Sequence, residues 1–195
     1  MSLILFFDTE TSKWPIWKEP SANPDQPHIV QIAAKLVDSE TRKCEQAISL
    51  TVRPDGWDIY DATVEIHGIT AAHAGRVGIS EIAALQIFQV MEARADLRVA
   101  YNEPFDRRIV KIALHRFFGK PLAEEWKARP GDCAMRMATP ICAMPDPKGK
   151  KKYKWPKLSE AYEIITGNAL EGAHDAMVDV DALIEIYWMM KDEEG

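Results

Sequence analysis

Five side chains able to hold a metal ion or move a proton are spread along the chain: Asp8 and Glu10, Asp106, and His174 with Asp179. Asp8 and Glu10 close the run Leu3-Ile4-Leu5-Phe6-Phe7-Asp8-Thr9-Glu10-Thr11. Five consecutive apolar residues that include Ile and two Phe predict a buried central strand. Side chains alternate across a strand, so positions 8 and 10 face the same way. Two carboxylates at the end of a buried strand suffer repulsion and desolvation unless a cation lies between them. Mg²⁺ and Mn²⁺ prefer oxygen ligands of this kind. Alone, the pair also suits a strand-end turn, where Asp and Thr are common.

Asn102-Glu103-Pro104-Phe105-Asp106 follows the apolar stretch Leu97 to Tyr101. Pro104 suits the first position of a helix, which puts Asp106 in its first turn. By itself Asp106 could simply complement the helix dipole. His174-Asp175-Ala176-Met177-Val178-Asp179 precedes Val180, Leu183, Ile184, Tyr187 and Trp188 at helical spacing. Asp175 is a good N-cap, His174 then lies on the entering loop, and Asp179 lies on the first turns. Each piece has an ordinary explanation; their joint presence in this order is the signal.

These three segments resemble the motifs of the DEDDh 3′→5′ exonucleases, proofreading-type nucleases with a ribonuclease-H-like fold. The first motif reads Phe7-Asp8-Thr9-Glu10-Thr11 and the second Tyr101-Asn102-Glu103-Pro104-Phe105-Asp106. The third reads His174-Asp175-Ala176-Met177-Val178-Asp179-Val180-Asp181-Ala182, with four residues between His174 and Asp179. Tyr101 stands where the family usually has a His. Ile66-His67-Gly68-Ile69-Thr70 is similar to the family segment lining the 3′-end pocket. The resemblance runs from residue 3 to about residue 190 and implies an α/β fold with a mixed central β-sheet flanked by helices.

Phosphodiester hydrolysis needs a nucleophilic water, in-line attack and relief of charge on the leaving oxygen. Two divalent ions, Mg²⁺ or Mn²⁺, roughly 3.5–4 Å apart can clamp both oxygens. Asp8, Glu10, Asp106 and Asp179 supply the anionic ligands in this reading. Asp8 is the candidate bridge, because the first motif sits on the central strand. Imidazole accepts protons near neutral pH, so His174 is the candidate general base, able to swing in on its loop. The resemblance also implies a contact between Glu10 and the terminal ribose. Asp175 is assigned to the cap and Asp181 to solvent or an outer-shell role. Thr9, Thr11, His67, Gly68, Ile69 and Asn102 are candidates for holding the 3′-terminal nucleotide, with a backbone amide near Thr9 or Thr11 at its sugar and Ile69 against its base. Trp14, Trp17 and Trp155 could stack bases, although packing over a sheet edge is the more frequent role.

The elements needed to position these residues are legible in outline. Strands are predicted over His28–Val37, Cys44–Val52 and Leu97–Ala100. Asp61 should cap a short helix ending at Gly68, and Ser80 a longer one burying Ile82, Ala83, Ile87, Val90 and Met91. Ile109, Ile112, Ala113 and Phe117 give the next helix its buried stripe, closed by Gly119 and Pro121. Leu158, Ala161, Tyr162 and Ile165 mark another, closed by Gly167. With 195 residues, 47% of them apolar, the chain reads as one exonuclease domain over 1–195. No 18-residue apolar stretch predicts a membrane span. The N-terminal apolar run is too short for a signal peptide and lacks a basic lead. Cys44, Cys133 and Cys142 form no CxxC pair and read as reduced thiols of a cytoplasmic protein.

A net charge of −6 disfavours a protein that merely coats nucleic acid. Against that background Lys148-Gly149-Lys150-Lys151-Lys152-Tyr153-Lys154 is a basic run, read either as a solvated loop or as a nucleic-acid contact. The expected activity is metal-dependent 3′→5′ hydrolysis at single-stranded 3′ ends, of DNA in the first reading. RNA trimming by the same chemistry is the alternative, and a nucleic-acid-binding module with a vestigial site is the alternative of another class. A polymerase or repair partner cannot be read from these residues.

Overall fold

The computed structural model describes residues 2–193. Its centre is a five-stranded sheet of order β3-β2-β1-β4-β5. The strands are β1 (Leu3–Thr11), β2 (Ile29–Asp38), β3 (Cys44–Thr51), β4 (Leu97–Ala100) and β5 (Gly131–Cys133). β1 pairs antiparallel with β2 and parallel with β4, and so stands at the junction of the two halves of the sheet. The antiparallel pair β2 and β3 and the parallel pair β4 and β5 complete a mixed sheet. Crossover helices cover both faces, which is why β1 and β2 are buried almost throughout.

The described residues form eight helices: α1 (Asp61–His67), α2 (Ala71–Val77), α3 (Glu81–Glu92), α4 (Glu103–Phe118), α5 (Lys120–Ala128), α6 (Ala134–Cys142), α7 (Leu158–Thr166) and α8 (Ala176–Glu193). Alternation along β1 feeds two cores. Leu5 and Phe7 join Leu85 and Phe88 of α3, Ile109 and Ala113 of α4, and Trp126 of α5. Ile4 and Phe6 join Ala138 of α6, Ala161 of α7, and Val180, Leu183 and Tyr187 of α8. Phe6 meets Tyr187 edge-on with ring centroids 5.1 Å apart, and Phe7 lies 5.6 Å from Phe88. Burying each such ring contributes about 1.5–3 kcal/mol.

Several expectations are corrected. Ser80 does cap α3, its Oγ accepting the Ala83 N–H. The helix, however, buries Ala84, Leu85, Phe88 and Met91 and leaves Ile82, Ile87 and Val90 exposed, Val90 by 57%. Its sequence is apolar on both faces, so periodicity does not say which face goes inward. Asp61 is the first residue of α1 rather than its cap; Tyr60 holds the cap position without a side-chain bond. Pro104 falls at the second helical position of α4, after Glu103. Gly119 closes α4, but Pro121 opens α5 instead of ending a helical region. α2 and α6 are short, β5 spans three residues, and α6 carries Pro140 inside it, so none gave a pattern. Asp181 pairs with Lys35 across the α8–β2 contact. The three cysteines are free thiols, and no described helix is long and apolar enough to cross a membrane.

Candidate active site

The even-numbered positions of β1 face α8, so Asp8 and Glu10 extend the row begun by Ile4 and Phe6. The odd-numbered face turns to α4. There Thr9 donates from its backbone N–H (3.1 Å) and its Oγ1 (2.7 Å) to one oxygen of Asp106, in the first turns of α4. The Thr9 amide, a candidate for the substrate's sugar, is therefore already engaged by Asp106. Asn102 occupies the cap position of α4 but spends no side-chain bond on capping. Its amide is left to the cleft wall.

The third motif is folded tightly. Asp175 Oδ1 accepts the Met177 and Val178 N–H groups, capping α8 as expected. His174 sits at φ 73°, a left-handed conformation that costs a non-glycine residue about 1–3 kcal/mol. That conformation turns the His174 N–H back onto both carboxylate oxygens of Asp179, at 3.3 Å each. The outcome is close convergence: potential ligand atoms of Glu10, His174 and Asp179 lie within 4.8 Å of one another. His174 is exposed while Asp179 is buried, so the imidazole stands at the mouth and the carboxylates on the floor.

The electrostatics are those of an unneutralised acidic cluster. Burial, then Asp106, Glu10 and Asp179, hold the Asp8 carboxyl well above the usual carboxylate range. Burial, then Asp179 and Asp106, push Glu10 up to about 8. Burial raises Asp106 to about 7 in spite of the two Thr9 donors. Asp179 is raised by burial against the His174 N–H. Four carboxylates that resist ionising together form a donor set suited to divalent cations; binding there would displace protons. These residues fit the divalent metal that the three motifs imply.

A cleft of about 530 Å³ opens over the cluster. Asp8, Thr9, Glu10, Thr11, His67, Asn102, Asp106, His174 and Asp179 all line it. Gly68 and Ile69 do not. Gly68 ends α1 at φ 71°, where glycine is favoured. Ile69 packs against the small core of Val30, Ile59 and Ala74. Its N–H donates to His67 Nδ1 at 3.0 Å, so it orients the ring instead. With Nδ1 accepting, the proton of neutral His67 belongs on Nε2, and burial lowers the His67 pKa. Ile66, one turn earlier, is 37% exposed and supplies the apolar wall.

Phe105, Tyr101, Thr63, Lys157 and Ser159 also line the cleft and were not singled out as substrate contacts. Phe105 could have been found inside the second motif. Lys157 lies just beyond the basic run and carries no motif of its own. Trp14 is 62% exposed and meets Phe105 edge-on at 6.3 Å, forming one lip of the cleft.

A model of the exonuclease family RNase_T matches residues 5–187. The chain belongs to that family. The motifs are thus those of an exonuclease domain, a DEDDh-type phosphodiester hydrolase, and the fold is ribonuclease-H-like. No curated protein sequence matches the chain. Among solved structures it is similar to exonuclease I (TM-score 0.77, 24% identity), covering 98% of this chain and 41% of that one. It is also similar to E. coli exonuclease I in complex with a dT13 oligonucleotide (TM-score 0.78, 23% identity), with the same coverages. A zinc-bound E. coli exonuclease I–single-stranded DNA complex gives 0.75 and 23%, covering 100% of this chain and 41% of that one. The chain therefore spans about two-fifths of the length of these relatives.

Proposed function

We propose that this domain releases nucleotides from single-stranded 3′ ends, DNA in the first instance, using two divalent cations. The observation that carries this reading is the convergence of Asp8, Glu10, Asp106 and Asp179 beneath an exposed His174 in one cleft. The likeness to an exonuclease I bound to a dT13 oligonucleotide supports the choice of substrate. A vestigial binding module is disfavoured because all five chemical positions are filled and face one space.

Cations held there would activate the attacking water and neutralise charge on the leaving oxygen. Asp8 lies on the central strand, with Asp106 and Glu10 near enough to act on its charge, and is the natural bridge. Thr9 fixes the orientation of Asp106. His174 takes the proton from water through its ring, and Asp179 holds the His174 backbone so that the ring stays at the mouth. Ile66, Phe105 and Trp14 offer apolar walls to the terminal base, and Thr11, His67 and Asn102 offer polar contacts to its sugar and phosphate. The two helical layers share one sheet, which supports reading the chain as a single exonuclease domain.

The test is hydrolysis of DNA and RNA oligonucleotides labelled at the 5′ or the 3′ end, in Mg²⁺ or Mn²⁺, with EDTA as control. A ladder shortening from the 3′ end, abolished by EDTA, is expected. Internal cuts, release from the 5′ end, or turnover in EDTA would overturn the reading. The DNA-to-RNA rate ratio decides the sugar preference.

A further inference from the structure

Six of the chain's 24 basic residues fall between positions 148 and 157, with no acidic residue among them, in a protein of net charge −6. Such a run is by default a solvated loop, but this one is built. Asp146 accepts the backbone N–H groups of Lys148, Lys150 and Lys151, each at 3.0 Å. A bridge between Pro145 and Tyr153 and the bond from Lys154 N–H to the Met144 carbonyl close its base. The backbone is fixed while the Lys148, Lys150 and Lys152 ammonium groups have no ion-pair partner among the described residues. Trp155 follows, 53% exposed, with Lys151 Nζ 3.6 Å from its ring centroid.

This loop is tied to the active site. The buried Tyr101 hydroxyl donates to the Pro156 carbonyl at 2.9 Å, joining the second motif to the end of the loop. The next residue, Lys157, lines the catalytic cleft. Cleft, Lys157, Trp155 with Lys151, and then Lys150 and Lys152 therefore succeed one another along one continuous segment.

We propose that Lys148–Lys157 is a strand-holding arm that grips the single strand on the 5′ side of the nucleotide in the cleft. This rests on the exonuclease reading above. Flexible ammonium groups contact phosphates without reading bases, and an exposed indole among them gives a stacking platform tolerant of sequence. A fixed backbone lets the arm meet the strand without first being ordered. The charge contrast with the rest of the protein favours a polyanion, and the cleft at one end of the segment favours the same strand that is being cut.

The test is affinity, not turnover. Fluorescence anisotropy in Mg²⁺ would use nuclease-resistant phosphorothioate DNA in two lengths: a trinucleotide, and one of about twelve nucleotides, within the span such surfaces cover. Trp155→Ala should weaken the longer strand roughly five- to a hundredfold, as loss of one stacked base does. Trp155→Phe should restore most of that. Replacing Lys150, Lys151 and Lys152 together with Ala should flatten the log–log salt slope by roughly 0.7 per phosphate released. Neither change should alter trinucleotide affinity. Equal affinities and salt slopes on the longer strand would overturn the arm, as would an equal loss on both lengths. The separate cleavage assay keeps the two readings apart. If the wild type degrades 3′ ends while these variants bind like it, only the arm falls.

Discussion

Replacing Glu10 with Gln should stabilise the metal-free protein while removing its activity, and the size of the effect follows from the site. Glu10 titrates near 8 in the folded chain because of burial and the nearby Asp179 and Asp106. In the unfolded chain a glutamate titrates near 4.3–4.5. A carboxyl raised on folding contributes stability that is complete below its unfolded pKa and is lost as pH rises through its folded pKa. Linkage between those values makes the ionisable group cost up to about 3 kcal/mol at pH 7. That is a ceiling, since Asp8 and Asp106 share the same repulsion and Glu10 is partly open to solvent. Glu10→Gln removes this cost. At about 2–4 °C per kcal/mol for a chain of this size, the metal-free thermal midpoint at pH 7 should rise by several degrees. The gain should nearly close by about pH 4.5, where the wild-type carboxyl is protonated in the folded state. It should also shrink or reverse in saturating Mg²⁺ or Mn²⁺, which stabilises the wild type by binding its folded form. Differential scanning fluorimetry over pH with EDTA or metal, beside a cleavage assay, measures all three. No metal-free gain at pH 7, or near-normal turnover at saturating Mg²⁺, would refute the assignment of Glu10 to an unneutralised ligand cluster.

Asp179→Asn should abolish turnover without unfolding the chain, because an amide cannot replace an anionic ligand; near-normal activity at saturating metal would remove it from the ligand set. His174→Ala should lower the single-turnover rate roughly 10²–10⁴-fold while leaving Mn²⁺ affinity, followed by calorimetry, nearly intact. A lost ion with unchanged chemistry at saturating metal would make His174 a ligand instead. Thr9→Val removes the 2.7 Å hydroxyl bond to Asp106 but keeps the backbone bond. A bond to a charged group is worth about 1.5–3 kcal/mol, so Mn²⁺ affinity should drop and its pH dependence should move upward as Asp106 becomes harder to ionise.

The site was more legible than the scaffold, for a physical reason. Each motif straddles an element boundary, where chain direction and side-chain direction are both constrained. The five apolar residues before Asp8, with Ile and two Phe among them, read as a central strand, and alternation then put Asp8 and Glu10 on one side. Asp175, an N-cap by type and position, located His174 and Asp179 relative to α8. Position 69 failed for the opposite reason. One residue past a left-handed Gly68, the helical register no longer applies, and Ile69 turned into a small core while Ile66 took the cleft. Met91 apart, α3 was read on the wrong face because Ile82, Ile87 and Val90 are as apolar as the residues it buries. Arg98 was not anticipated either. It is 1% exposed inside β4, its guanidinium 3.7 Å from the Trp126 ring centroid, its Nη2 on the Arg129 carbonyl and its Nε on the Pro130 carbonyl. A charge buried through such partners leaves no trace in a hydrophobic pattern.

The same geometry explains why motifs so far apart in sequence act together. β1 carries adjacent residues to opposite faces, so Thr9 holds α4 and Asp106 while Asp8 and Glu10 look toward α8 and Asp179. Neither helix needs to know where the other is; each is referred to the same strand. Phe6 and Phe7 repeat that division one step deeper, one ring packed on Tyr187 of α8 and the other on Phe88 of α3 and Trp126 of α5. Core packing sets the rotation of the helices about the strand, and the carboxylates at its end inherit that rotation. The repulsion among them is then a consequence of good packing below, because apolar contacts worth several kcal/mol hold the acids closer than they would stay alone. A divalent cation relieves a strain the fold has already accepted, which is why metal affinity in this domain should depend on residues that never touch the metal.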